Sequence, residues 1–184
     1  MKTIDLSGNT EGRVTLAHFP EFTLINVYTP NAGAERYEFR TEQWDHDFRQ
    51  LVLQEGQKNN VIVCGDFNVA HHDIDICQVT YGPLESESNE RVSGLTVTER
   101  NNFRDLVDTC GLVDSFRFCN PYAQKFSWWS NFRPKRNDRI QGGWRIDYIL
   151  VSRNMVAAIQ EADIDIDTMG SDHAPIWLKI FDRV

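Results

Sequence analysis

The sequence predicts an α/β or mixed α+β sandwich fold. Three observations carry this. Short apolar, β-prone runs interleave with amphipathic helical stretches, the 184 residues suit one core, and no repeat, low-complexity tract or linker divides the chain, so residues 1–184 read as a single domain. The elements follow in order. Residues 13–18 and 22–28 read as two strands around the Phe19-Pro20-Glu21 turn. Residues 36–54 read as a helix, with Trp44, Phe48, Leu51 and Val52 at helical spacing. Residues 61–64 form a short apolar run between polar flanks, the pattern of a buried strand. Thr96 and Glu99 make a capping box, Phe103, Leu106, Val107 and Cys110 follow at helical spacing, and Gly111 stops that helix. Residues 126–129, 145–151 and 175–181 complete the strands, with Ile176, Leu178 and Ile180 alternating in the last.

Composition narrows the classes. Hydrophobic residues make up 41% and charged residues 25% of the chain, as in soluble globular proteins. No apolar run is long enough to span a membrane, and the first eight residues lack the apolar stretch of a secretory signal, so an intracellular protein, nuclear or cytoplasmic, is expected. Cys64, Cys77, Cys110 and Cys119 show no paired spacing and read as reduced, mostly buried thiols. A net charge of −8 argues against a protein that coats nucleic acid, because duplex binding draws on phosphate neutralisation; it agrees with an enzyme whose carboxylates hold a metal. Arg133, Lys135, Arg136, Arg139 and Arg145 fall in one stretch, read as a solvated loop.

Four segments offer chemistry. In Val61-Ile62-Val63-Cys64-Gly65-Asp66-Phe67-Asn68 a buried strand runs into an acid and an amide two positions apart, which extended backbone turns to one face. Both are hard oxygen donors suited to Mg²⁺; a polar turn capping a strand reads the short pattern equally well. Gly170-Ser171-Asp172-His173 supplies another hard donor and a group that exchanges protons near neutral pH, both reaching one site if the chain bends at Gly170; the plain alternative is a turn before the last strand. Asp147 is an acid inside the apolar run Ile146-Asp147-Tyr148-Ile149, where a carboxylate needs a partner, either a histidine or backbone. In Tyr28-Thr29-Pro30-Asn31, a turn presents Tyr28 and Asn31, or merely packs a tyrosine.

Taken together and in order, the blocks NVYTPNAG, GDFNVAHHDID, GWRIDYILVS and GSDHAPIWL resemble those of the exonuclease III type of abasic-site endonuclease, supported by EGRVTLAHFP, LTVTER and DSFR, over nearly the whole chain from about Glu11. The resemblance implies a four-layer sandwich of two packed β-sheets flanked by helices. It implies Mg²⁺-dependent hydrolysis (Mn²⁺ as an alternative) of the phosphodiester 5′ to an abasic site in double-stranded DNA, with 3′–5′ exonuclease activity in some members. Asp66 then orients or deprotonates the attacking water, or gives a proton to the leaving oxygen. Asn68 holds phosphate or metal, Asp172 ligates or supports the metal, and His173 contacts phosphate, joins the metal or acts as base with Asp147 orienting it. Tyr28 and Asn31 contact the phosphate, and Asn89 matches a DNA-contacting asparagine. Trp128, Trp144 and Ile146 match the small apolar pocket for an extruded abasic sugar, although ordinary core packing explains the three as well. His71 and His72 belong to the matched block and are not read as zinc ligands.

The chain also departs from that pattern. The family's opening strand with an asparagine, and the glutamate that follows and binds Mg²⁺, have no counterpart before Glu11, so the domain reads as truncated at its amino-terminal end. Val92 stands where a second asparagine is usual, Trp128 is bulkier than its usual counterpart, and Asn131-Phe132-Arg133-Pro134 replaces the family residues. Three functions follow: an active enzyme, alone or completed by an amino-terminal chain or by self-association; a non-catalytic remnant; or another phosphodiesterase of the superfamily acting on RNA, lipid phosphates or retroelement targets. The GWRIDY and VAH blocks favour the abasic-site branch.

Overall fold

A computed structural model describes residues 1–130 and 142–181. Its first strand, β1 (Lys2–Leu6), lies in a stretch that offered too few apolar residues to be read as one. It pairs antiparallel with β2 (Asn9–His18), and Leu6 stands opposite Asn9 across a two-residue turn. Ser7 and Gly8 both have positive φ (54° and 70°), the backbone of a type I′ hairpin whose twist matches its strands. Strand β3 (Phe22–Tyr28) follows, its buried residues Thr23, Ile25 and Val27 alternating as the period of two requires.

A continuous helical stretch then runs through α1 (Gly33–Glu38), a π-helical segment (Phe39–Trp44) and α2 (Asp45–Gly56), so the helix expected over 36–54 is present but interrupted. The π segment turns Arg40 and Thr41 inward. Buried Arg40 donates to Pro30 O (2.9 Å), Phe67 O (3.1 Å) and Asp45 Oδ1 (2.7 Å), tying together two loops at one end of the sheet.

Strand β4 (Asn60–Asp66) runs parallel to β3. After α3 (Gln78–Tyr81) comes α4 (Val97–Thr109), capped by Thr96 as expected: its hydroxyl accepts the Glu99 N–H at 3.2 Å. The buried Glu99 carboxylate turns back to take the Gly94 N–H and the Thr96 hydroxyl. β5 (Leu112–Asp114) and α5 (Ser115–Cys119) precede three short strands, β6 (Trp128–Trp129), β7 (Gly143–Trp144) and β8 (Asp147–Ser152). β9 (Ile159–Ile164) and β10 (Ile176–Ile180) end the described fold.

The main sheet has the order β1-β2-β3-β4-β8-β5, and β9–β10 and β6–β7 form two smaller sheets. One face of the main sheet, with Ile25, Val63 and Leu150, buries against Phe48, Val52, Phe103 and Leu106 of α2 and α4. The other face meets β9–β10 through Ile62, Val151, Leu178 and Ile180, and α5 packs on β8 and β9. Stacked sheets flanked by helices thus match the expected class. No helix among the described residues is long and apolar enough to cross a membrane.

The basic stretch divides. Arg133, Lys135, Arg136 and Arg139, with Asn131, Phe132 and Pro134, lie outside the described residues. Arg145 is not a solvated loop residue: it is fully buried, bonded to Asp75 and Asp114, because two carboxylates compensate its charge there.

Candidate active site

The register of the main sheet brings three of the singled-out side chains into one row. Tyr28 pairs with Asp66 across β3–β4, and Asp66 with Asp147 across β4–β8. Residues paired in register share a face, so the phenol and the two carboxyls stand side by side at the sheet end. Close approach of the strands needs Gly65: a Cβ there would lie 1.9 Å from Val27 O, and its φ of +135° suits no other residue.

Beyond Asp66 the chain turns sharply. Asn68 takes a positive φ of 49°, a strained conformation for a residue other than glycine. Three hydrogen bonds hold it: its N–H donates to Asp66 Oδ1 (2.8 Å), its Nδ2 to Thr29 O (2.8 Å), and its Oδ1 accepts from Asn31 Nδ2 (3.3 Å). The two loops carrying Tyr28, Asn31, Asp66 and Asn68 are thereby bound into one unit, with Arg40 beneath them.

Asp172 and His173 arrive from the other side. Trp129 N–H donates to Asp172 O (3.0 Å) and Ala174 N–H to Ser127 O (2.7 Å), stitching their loop to β6. Gly170, at φ +124°, sits where a bend was expected. The His173 ring places Nδ1 2.9 Å from Asp147 Oδ2, and Trp128 Nε1 donates to Asp172 Oδ2 at 3.2 Å. Ser127, fully buried and given no role by sequence reasoning, accepts both the Ile146 and Asp147 N–H groups at 3.0 Å. These two hydrogen bonds to a side chain break the strand expected over 145–151, so β8 begins only at Asp147. Its sequence signal was slight: a lone serine between Phe126 and Trp128.

A cavity of about 220 Å³ is lined by Tyr28, Asn31, Asp66, Asn68, Ser93, Trp128, Trp144, Ile146, Asp172 and His173, with Asp147 behind His173. Trp144 and Ile146 are buried in a small core with Ile76, Leu84 and Leu95, and expose only an edge to the cavity. Trp128, half-buried, packs its ring 5.2 Å from that of Trp144. Asn89 does not join them. It is buried 2% exposed, and its Nδ2 is spent on Tyr81 O and Pro83 O, so it holds its own loop together. His71 also lies elsewhere, its ring tilted against that of His72 and edge-on to Phe103.

The electrostatics are uneven. Burial, helped by the neighbouring Asp147 charge, pushes the Asp66 carboxyl up to about 7 against the opposing pull of the Asn68 N–H, His173 and Arg40. Burial lowers the affinity of His173 for a proton, but the hydrogen bond and charge of Asp147, with Asp66 and Asp172, more than offset it and leave the imidazole above its ordinary value. Such a site can bind a cation, hold an anion beside it and exchange protons near neutral pH. The donors fit a hard divalent ion. Asp66 and Asp172 offer carboxylate oxygens and Asn68 an amide oxygen. Among the described residues no group of three His, Cys, Asp or Glu is placed to enclose a metal alone. Mg²⁺ tolerates that, since it keeps several waters and takes one or two carboxylates.

Comparison with known proteins adds four findings. The profile of the Endonuclease/Exonuclease/phosphatase family matches residues 2–173. An exodeoxyribonuclease of Bacillus subtilis is 40% identical over 173 residues, covering 92% of this chain and 64% of that protein. A DNA-(apurinic or apyrimidinic site) endonuclease of Dictyostelium discoideum is 34% identical over 177 residues, covering 94% of this chain and 46% of that protein. The crystal structure of an AP endonuclease from Leishmania major superposes with a TM-score of 0.81 at 27% identity, covering 91% of this chain and 54% of that one. The chain therefore spans about half to two-thirds of the length of these relatives.

Proposed function

The chain belongs to the Endonuclease/Exonuclease/phosphatase family, in its exonuclease III and abasic-site endonuclease branch, and from that premise we propose that it is a DNA repair phosphodiesterase that cuts 5′ to an abasic site and trims 3′ ends. The observation that carries this reading is the row Tyr28–Asp66–Asp147, with His173 bonded to Asp147, beside a small cavity whose far wall is apolar. That wall, Trp128, Trp144 and Ile146, suits a sugar without its base.

In the proposed reaction the oxygen of a water bonds to phosphorus, the bond to the 3′ oxygen breaks, and that oxygen leaves as a hydroxyl. Asp147 occupies His173 Nδ1, which leaves Nε2 to take the proton from the water. Asp66, with its carboxyl near 7, supplies a proton to the leaving oxygen at neutral pH. Tyr28 and the amide of Asn31 contact the phosphate. Asn68 and Asp172 would hold Mg²⁺ or Mn²⁺, which would supply stabilisation of the charge on the phosphoryl oxygens, while Asp66 is kept for the proton. We assign His173 to phosphate and proton rather than to metal, because Asp147 raises its affinity for a proton, which competes with a cation.

A second reading is favoured by one face of the sheet. Asn26 is exposed and Leu24 and Cys64 only half-buried on the side where β9–β10 cover Ile62 and Val151. Further polypeptide laid over that face, from an amino-terminal chain or a second copy, completes the enzyme in this reading. Comparing hydrolysis of an abasic DNA duplex, an RNA and an inositol phospholipid separates the branches of the superfamily. Preference for the abasic duplex supports the proposal, and preference for either other substrate refutes it. Activity that rises faster than protein concentration marks completion by self-association.

A further inference from the structure

We propose that Ser93 is a positioning residue of this pocket, locking the Asn31 amide in the orientation that Asn68 selects. Ser93 lies in the loop before α4, 62 residues from Asn31, and lines the same cavity. Thr29 O only accepts, so the Asn68 side chain must turn its Nδ2 to it (2.8 Å) and its Oδ1 towards Asn31. Asn31 must then offer Nδ2 to that oxygen (3.3 Å), since the flipped amide would set oxygen against oxygen. This leaves Asn31 Oδ1 needing a donor, which the Ser93 hydroxyl supplies at 3.0 Å. The Gly33 N–H donates in turn to Ser93 Oγ at 3.3 Å and fixes the rotor. Every bond from Gly33 to Thr29 runs in one direction, and the chain passes through Asn68, whose own N–H holds Asp66 Oδ1 (2.8 Å). With the amide so turned, donors rather than an acceptor face an anionic phosphate.

The role rests on this cavity being the reaction site, and two readouts keep the claims apart. In Ser93→Ala, side-chain amide signals of Asn31 and Asn68 in ¹H–¹⁵N spectra should shift or broaden while the thermal midpoint holds. Incision of an abasic duplex should slow about three- to tenfold, the loss of one ordinary hydrogen bond, through kcat rather than KM. Ser93→Thr should restore both, and Ser93→Ala should cost nothing more once Asn31→Ala is present. Unchanged amide signals, or losses that multiply in the double variant, overturn the assignment. A parent chain that cuts no abasic duplex, alone or with an added amino-terminal fragment, refutes the proposed function, while the amide spectra still decide the placement of Ser93.

Discussion

Asp66 is the residue on which the proposed chemistry turns. Its carboxyl stands near 7 because it is buried and faces Asp147, so the folded state binds its proton more tightly than the unfolded chain, whose ordinary value is 3.8. The sign follows: the folded protein is favoured by this group below that ordinary value, and the advantage is lost as pH rises through about 7. Asp66→Asn, which keeps an oxygen for the Asn68 N–H, should therefore raise the thermal midpoint more at pH 8 than at pH 5, measured by calorimetry without divalent metal. His173→Ala should lower incision by about 10²- to 10⁴-fold, the usual worth of a general base, measured in single turnover. Asp147→Asn removes the charge that raises His173, so the pH at which activity appears should move to lower values as its maximum falls. The pairing of Asp147 with a histidine was legible from one anomaly, an acid in an apolar strand. Asn31 and Asn68 could be named, but their mutual bond spans 37 residues and no local pattern encodes it.

Elements show where reading by periodicity ends. The core strands β3 and β4 and the capped helix α4 follow from alternation, apolar runs and a capping box, because each is decided by neighbours in sequence. β1 escaped since it is an edge strand with few apolar residues, fixed mainly by its turn. The start of β8 escaped because Ser127 takes its amides from 19 and 20 residues away. Arg145 was misjudged by company: proximity to other basic residues suggested a solvated loop, but its guanidinium is enclosed by Asp75 and Asp114, while Arg117 shares Asp75. Burial opposes ionisation of Asp75, yet these two arginines hold its carboxyl below the ordinary range. Arg145→Ala would take the ion-pair partner from Asp114 and leave buried Asp75 with Arg117 alone. It should cost on the order of 3–5 kcal/mol in urea unfolding, with Arg145→Lys intermediate because an ammonium lacks the planar fork.

At the scale of the molecule, the fold gathers side chains from distant parts of the chain at one end of the central strands of the main sheet: Tyr28 from β3, Asp66 from β4, Asp147 from β8 and His173 from the loop before β10. Family resemblance anticipated the members of this group; only the strand register explains why they meet. The central claim is that these groups suffice for metal-dependent phosphodiester hydrolysis. The most direct measurement is incision of a duplex carrying a single abasic site by the purified, folded chain, in Mg²⁺ and in EDTA. The account predicts cleavage with Mg²⁺ that leaves a 3′-hydroxyl, is lost in EDTA and is lost in His173→Ala. A folded chain that leaves the duplex intact in Mg²⁺, or that cuts equally well in EDTA, would contradict it.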